Sequence, residues 1–87
     1  MNVSRDFILR EIAGDYILVP TGASSHTFDG IITLNAQAVF LWENLSEADS
    51  VDELVDMVLA EYEIDRETAQ KDTELFVARL KEAKIIV

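Results

Sequence analysis

The sequence predicts an α+β fold in which a three-stranded antiparallel sheet precedes three helices. Short apolar runs between turn residues fill the first third of the chain, as strands do. Apolar stripes at i, i+3 and i+4 behind capping residues fill the rest, as helices do. The scale is set by 87 residues, 49% of them hydrophobic and 28% charged. That balance suits one folded domain over 1–87 and not a disordered chain.

The first two strands are "FILREI" and "YILVP", on either side of "AGD", a glycine-containing turn suited to a β-hairpin. Residues 16–19 are apolar without a break, which fits the central strand of a sheet. Pro20 cannot donate to a ladder, so it ends that strand. A polar loop then leads to a third strand over 31–34.

Asn35 caps a helix over 36–45 that is apolar almost all round and therefore expected to be deeply buried. Ser50 and Glu53 form a capping box for a second helix running through Tyr62. Its stripe is Val51, Leu54, Val55, Val58, Leu59 and Tyr62. Asp65 caps the third helix, with Ile64 and Ala69 as a hydrophobic staple. Ala69, Thr73, Phe76, Leu80 and Ala83 make its buried stripe, and the apolar residues 85–87 should tuck against the core. One core is expected, of Phe40 or Leu41, Trp42, Leu54, Val58, Phe76 and Leu80.

The net charge is −10, and it is unevenly spread. Ten carboxylates lie between Glu43 and Glu67 against one cation, Arg66. Residues 68–87 carry Asp72, Glu74 and Glu82 against Lys71, Arg79, Lys81 and Lys84. A field of this sign repels phosphate backbones, which argues against nucleic acid as a partner. With no cysteine, disulfides, thiol catalysis and iron–sulfur ligation are excluded. The start lacks the apolar run of a signal peptide, and nothing approaches the ~20 apolar residues of a membrane span. A cytoplasmic protein that binds no membrane is expected.

Catalytic chemistry is hard to find. His26 is the only histidine, in a serine-rich loop, and reads as solvent-exposed. Ser24 and Ser25 beside it have no strained elbow to activate them. None of the three glycines opens a phosphate-binding motif. Asp52, Glu53 and Asp56 lie on the polar side of the second helix without calcium-loop spacing. The chain reads as a non-enzyme that needs neither cofactor nor metal.

Three strands followed by three helices is the order of a winged helix-turn-helix. Within it, "YILVPTG", "DGIITLNAQAVFLWENL", "SVDELVDMVLAEYEID" and "DTELFVARLKEAKII" follow one another. Together they resemble the family of the pyrroloquinoline-quinone biosynthesis protein D, from Arg10 to Ile86. Asp72, Phe76, Val77 and Leu80 fit that family's C-terminal pattern, whereas Lys84 stands where a glycine is common. The departure bears on the C-terminal turn. The resemblance implies a domain that recognises ribosomally made, post-translationally modified peptides. Such domains hold the leader of a precursor peptide as an added strand between the third strand and the third helix. A partner, often a radical S-adenosylmethionine enzyme, then modifies the peptide.

The residues independently supply an edge and a wall for such a guest. With the second strand central, 31–34 pairs on one side only, and it carries neither charge nor proline to blunt its other edge. β-Augmentation would satisfy the open N–H and C=O groups. The candidate contacts are Gly30, Ile31, Ile32, Thr33 and Leu34 on the strand, and Lys71, Asp72, Leu75 and Arg79 on the third helix. Leu75 lies well off the buried stripe. Proline at Ile32 tests the edge if that N–H faces the guest, and Thr33 is then the control. The same edge can pair with its own copy, so a monomer or an edge-paired homodimer is expected. Two rivals come from other classes. One is a regulatory or structural subunit that binds a folded protein through its acidic second helix. The other is a DNA-binding winged helix with its third helix in the major groove, which Glu67, Glu74 and the overall acidity oppose.

Overall fold

A computed structural model describes residues 1–4, 6–21 and 32–86. The strands are β1 (Phe7–Ile12), β2 (Asp15–Pro20) and β3 (Ile32–Leu34). The helices are α1 (Ala36–Leu45), α2 (Val51–Glu61) and α3 (Arg66–Glu82). The sheet is antiparallel in the order β1-β2-β3, so β2 is central as its unbroken apolar run requires. The turn between β1 and β2 has two residues, Ala13 (φ 53°) and Gly14 (φ 86°). Two positive φ values make a type I′ turn, whose twist matches that of a hairpin. Asp15, read from sequence as part of the turn, therefore begins β2 and pairs with Ile12.

Alternation along the strands sorts their side chains. Leu18, Ile32 and Leu34 point into the core, and Ile8, Arg10, Ile12 and Thr33 belong to the exposed face. The helices complete the core with Leu41, Leu45, Leu54, Val55, Val58, Phe76 and Leu80. Val77 joins the buried face of α3, while Ala83 is only half-buried and serves as that helix's C-cap.

The expectation for α1 needs correction. Only Leu41 and Leu45 are buried on this helix; Phe40 and Trp42 are half-buried and pack on the rim of the core. A short helix packed on β3 and α2 has neighbours on part of its circumference only. Phe40 uses its flank to meet Tyr62 edge to face, with centroids 5.5 Å apart at 88°.

All three caps form. Asn35 Oδ1 accepts from the Ala38 N–H at 2.8 Å and Ser50 Oγ from the Glu53 N–H at 3.2 Å. The Glu53 carboxylate reaches back one residue further than a standard capping box, to the Asp49 N–H at 3.4 Å. Asp65 accepts from the N–H of Thr68 and from its hydroxyl, at 3.0 and 2.8 Å. These two bonds, the backbone one foremost, hold its carboxyl below the usual range.

At the other end of α3 the Ile85 N–H reaches Leu80 O at 2.8 Å and the Lys84 N–H reaches Lys81 O at 3.0 Å. That is a Schellman motif, with Lys84 in the left-handed conformation at φ 61°. Ile85 is fully buried, and its carbonyl accepts from the Ser4 N–H at 2.7 Å. The terminal segments thus close against each other, and Val3 bridges to Ile86. Among the described residues Arg66–Asp56 is the one ion pair, exposed on both sides and worth ~0–1 kcal/mol.

Candidate functional site

Hairpin geometry decides which way the β3 backbone faces. A two-residue turn makes Ile12 and Asp15 a hydrogen-bonded pair. Every second residue of β2 from Asp15 onward then directs its N–H and C=O at β1. The Thr21 N–H, donating to Asp6 O at 2.6 Å, keeps that phase. Tyr16 and Leu18 must face the opposite way, toward their partners Leu34 and Ile32. Ile17 and Thr33 form a non-hydrogen-bonded pair, so the Thr33 N–H and C=O point away from the sheet. Among the described residues no strand pairs with β3 on that side.

This reverses the roles expected of two residues. The Ile32 N–H is used inside the sheet and its side chain is buried, so Ile32 cannot probe the outer edge. Thr33, expected to be the control, carries the open donor and acceptor. Ile32 and Leu34 support the strand from the core side. Gly30 and Ile31 lie outside the described residues, as do His26, Ser24 and Ser25.

β3 runs into Asn35, and at that corner a cleft of about 260 Å³ opens between the first turns of α1 and the face of α3. From α3 it is lined by Asp72, Leu75, Phe76 and Arg79. Those positions recur at i, i+3, i+4 and i+7, one helical face. Three of the four expected helix residues therefore line one cleft, and Lys71 is not among its lining. Leu75 is 62% exposed, the most exposed large apolar side chain among those described, while Phe76 beside it is buried at the cleft floor.

The opposite wall was not foreseen. It is made by Asn35, Gln37, Ala38 and Leu41 rather than by strand residues, because β3 ends at Leu34 and the chain turns at once into α1. The one signal in the sequence was Gln37, a lone amide within the apolar "AQAVFLW". Gln37 Nε2 is buried and has no hydrogen-bond partner among the described residues.

No group of His, Cys, Asp or Glu among the described residues can hold a metal ion. No described helix is long and apolar enough to cross a membrane. Tyr16, paired across the hairpin with Glu11, has its phenol raised by the hydrogen bond to that carboxylate and by its charge.

A strand edge with no partner strand among the described residues, running into a helix-lined cleft of mixed apolar and polar side chains, defines a binding module of the α+β type. The chain belongs to the family of coenzyme PQQ synthesis protein D, PqqD, whose sequence profile matches residues 8–86. Its fold is similar to that of TbiB1, solved in complex with the TbiA(beta) leader peptide. The TM-score is 0.73 at 26% identity, over 98% of this chain and 93% of that one. It is also similar in fold to lasso peptide synthetase B1, solved complexed with the leader peptide. There the TM-score is 0.69 at 22% identity, over 93% of this chain and 89% of that one. No curated protein sequence matches the chain.

Proposed function

We propose that this protein is a non-catalytic adaptor that captures the leader of a ribosomally made precursor peptide and presents it to a modifying enzyme. The carrying observation is the outward N–H and C=O of Thr33 at an edge that no described strand pairs and that runs into the cleft. A guest strand would pair with β3 through main-chain hydrogen bonds and lay alternate side chains toward α3. Family membership and the two leader-peptide complexes of similar fold support this reading.

The contact residues on this reading are Gly30, Ile31 and Thr33 along the edge, with Asp72, Leu75 and Arg79 on the helix. Ile32 and Leu34 hold the edge in place. Lys71 is the weakest member of the set, since it does not line the cleft. The adaptor works in the cytoplasm as a monomer or as an edge-paired homodimer. Its enzyme partner is a radical S-adenosylmethionine enzyme or another peptide-modifying enzyme.

Chemical-shift mapping tests the proposal, using synthetic peptides that cover small open reading frames encoded beside the gene. Binding should perturb Thr33 and one flank of α3 from Asp72 to Arg79. Perturbations confined to the acidic face of α2 would favour a subunit that docks on folded proteins instead.

A further inference from the structure

Among the described residues the cleft is lined by two charged side chains, and α3 supplies both. Asp72 and Arg79 are exposed, and neither forms an ion pair among the described residues. The facing wall of Asn35, Gln37, Ala38 and Leu41 carries no charge. Seven residues make nearly two turns, so the two charges lie within ~20° of one line along the helix. They stand roughly 10 Å apart at 1.5 Å per residue. Leu75 and Phe76 occupy the interval between them. Along α3 the wall therefore reads acid, apolar, base.

A strand laid beside β3 presents side chains to that wall at every second position. A central apolar residue of the guest would sit on Leu75 and Phe76. The residues two places before and after it would stand about 13 Å apart, at ~3.3 Å per residue. That exceeds the Asp72–Arg79 interval by about 3 Å, which long, flexible charged side chains can take up. A base beside Asp72 and an acid beside Arg79 make two attractions. Exchanging them sets like against like at both ends. Charge complementarity of this kind fixes register and excludes wrong partners more than it adds affinity.

Resting on the adaptor reading, we infer that the cleft reads the order of charges along its guest. The substrate class is a peptide with an acid and a base placed two residues either side of an apolar one, in one order and not the reverse. Asp72 and Arg79 are the specificity-determining residues. They set the order, while the β3 edge and Leu75 supply most of the affinity. The net charge of −10 disfavours guests that are acidic throughout, and a motif with one charge of each sign escapes that repulsion.

The probe is a phage-displayed library of random dodecapeptides panned on the full chain at low salt. Enriched sequences should share the charged–apolar–charged pattern at alternate positions, in one order. The best of them is then made as a synthetic peptide, alongside a second peptide with its two charges exchanged. The exchanged peptide should bind about five- to tenfold more weakly, and the difference should shrink in ~0.5 M salt. The double variant Asp72→Lys with Arg79→Glu should invert the preference. Neutralising both, Asp72→Asn with Arg79→Gln, should make the two peptides bind nearly alike. Both positions are exposed, so these variants should melt like the wild type. Peptides that fail on Thr33→Pro but carry the charges in either order overturn the inference and leave strand addition standing. So does a preference for one order that survives the exchange of Asp72 and Arg79. No enrichment, or binding indifferent to Thr33→Pro, overturns strand addition and the inference with it.

Discussion

The sheet has two outer edges, and they differ in nearly every respect. β1 is six residues long, pairs with β2 along its whole length and carries Arg10 and Glu11. By alternation its outward backbone groups belong to Phe7, Leu9 and Glu11. β3 has three described residues, no charge and no proline, and one outward-facing residue, Thr33. By length alone β1 is the better template for a further strand. β3 leads through Asn35 into the cleft between α1 and α3, and no β1 residue is among that cleft's lining. Backbone hydrogen bonds are available at any open edge, whereas side-chain pockets distinguish one peptide from another. The shorter edge is the specific one because of what stands next to it.

Three proline substitutions break or uphold this contrast, and two of them carry large expected effects. Ile32→Pro removes a hydrogen bond to Leu18 and reshapes a buried side chain, and should cost roughly 2–5 kcal/mol of stability from the lost bond and disturbed packing together. Thr33→Pro should keep the fold and weaken a selected peptide about tenfold or more, because its N–H faces outward. Glu11→Pro, the matching position on the other edge, should keep both the fold and the binding. Thermal melts and calorimetric titration separate the three. Equal damage from Glu11→Pro and Thr33→Pro would move the guest to β1.

A second pair of variants asks whether the cleft wall acts by burial or by charge. Leu75 is 62% exposed, so Leu75→Ala should leave the melting temperature nearly unchanged. Covering a leucine-sized side chain is worth roughly 1.5–3 kcal/mol, so the same change should weaken peptide binding about tenfold or more. Arg79→Gln acts at an exposed rim, where a charge pair is worth ~0–1 kcal/mol. Its effect should be smaller and should fade with salt, since ~0.15 M already screens beyond about 8 Å. Phe76→Ala, one residue away but buried, should instead cost about 3–5 kcal/mol of stability. If Arg79→Gln does more harm than Leu75→Ala, the wall is electrostatic and the contrast between the edges rests on charge.

Much of this was legible in the sequence, for local reasons. The unbroken apolar run at 16–19 placed β2 in the centre, and Asn35, Ser50 and Asp65 each cap the helix they precede. The depth of α1 was misread because an apolar pattern records what can be buried, not what lies close enough to cover it. The direction of the Thr33 N–H depended on one residue of turn length. A three-residue turn over "AGD" would have put Ile32 outward; the two-residue turn, with Asp15 already in the strand, puts Thr33 there. The Gln37 wall was hidden because it arises where a strand and a helix meet, and neither periodicity extends across that corner.

The smallest predicted effect separates α3 as scaffold from α3 as cleft wall. Lys84 holds φ 61° at the position where the family resemblance leads one to expect glycine. A Cβ in that conformation meets the following carbonyl, at a cost of ~1–2 kcal/mol that glycine avoids. Glycine also gives the unfolded chain more freedom, which takes back part of the gain. Lys84→Gly should therefore stabilise the protein by about 1 kcal/mol, a rise of roughly 4–8 °C in melting temperature for a domain of this size. Lys84 is absent from the cleft lining, so peptide binding should not change. Lysine near a helix C-terminus also interacts favourably with the helix dipole, and losing it works against the gain. Lys84→Ala isolates that loss, because alanine drops the charge but keeps the Cβ. Alanine should give no stabilisation. If it stabilises as much as glycine does, the left-handed turn at 84 carries no strain, and a lysine in place of the expected glycine costs the fold nothing.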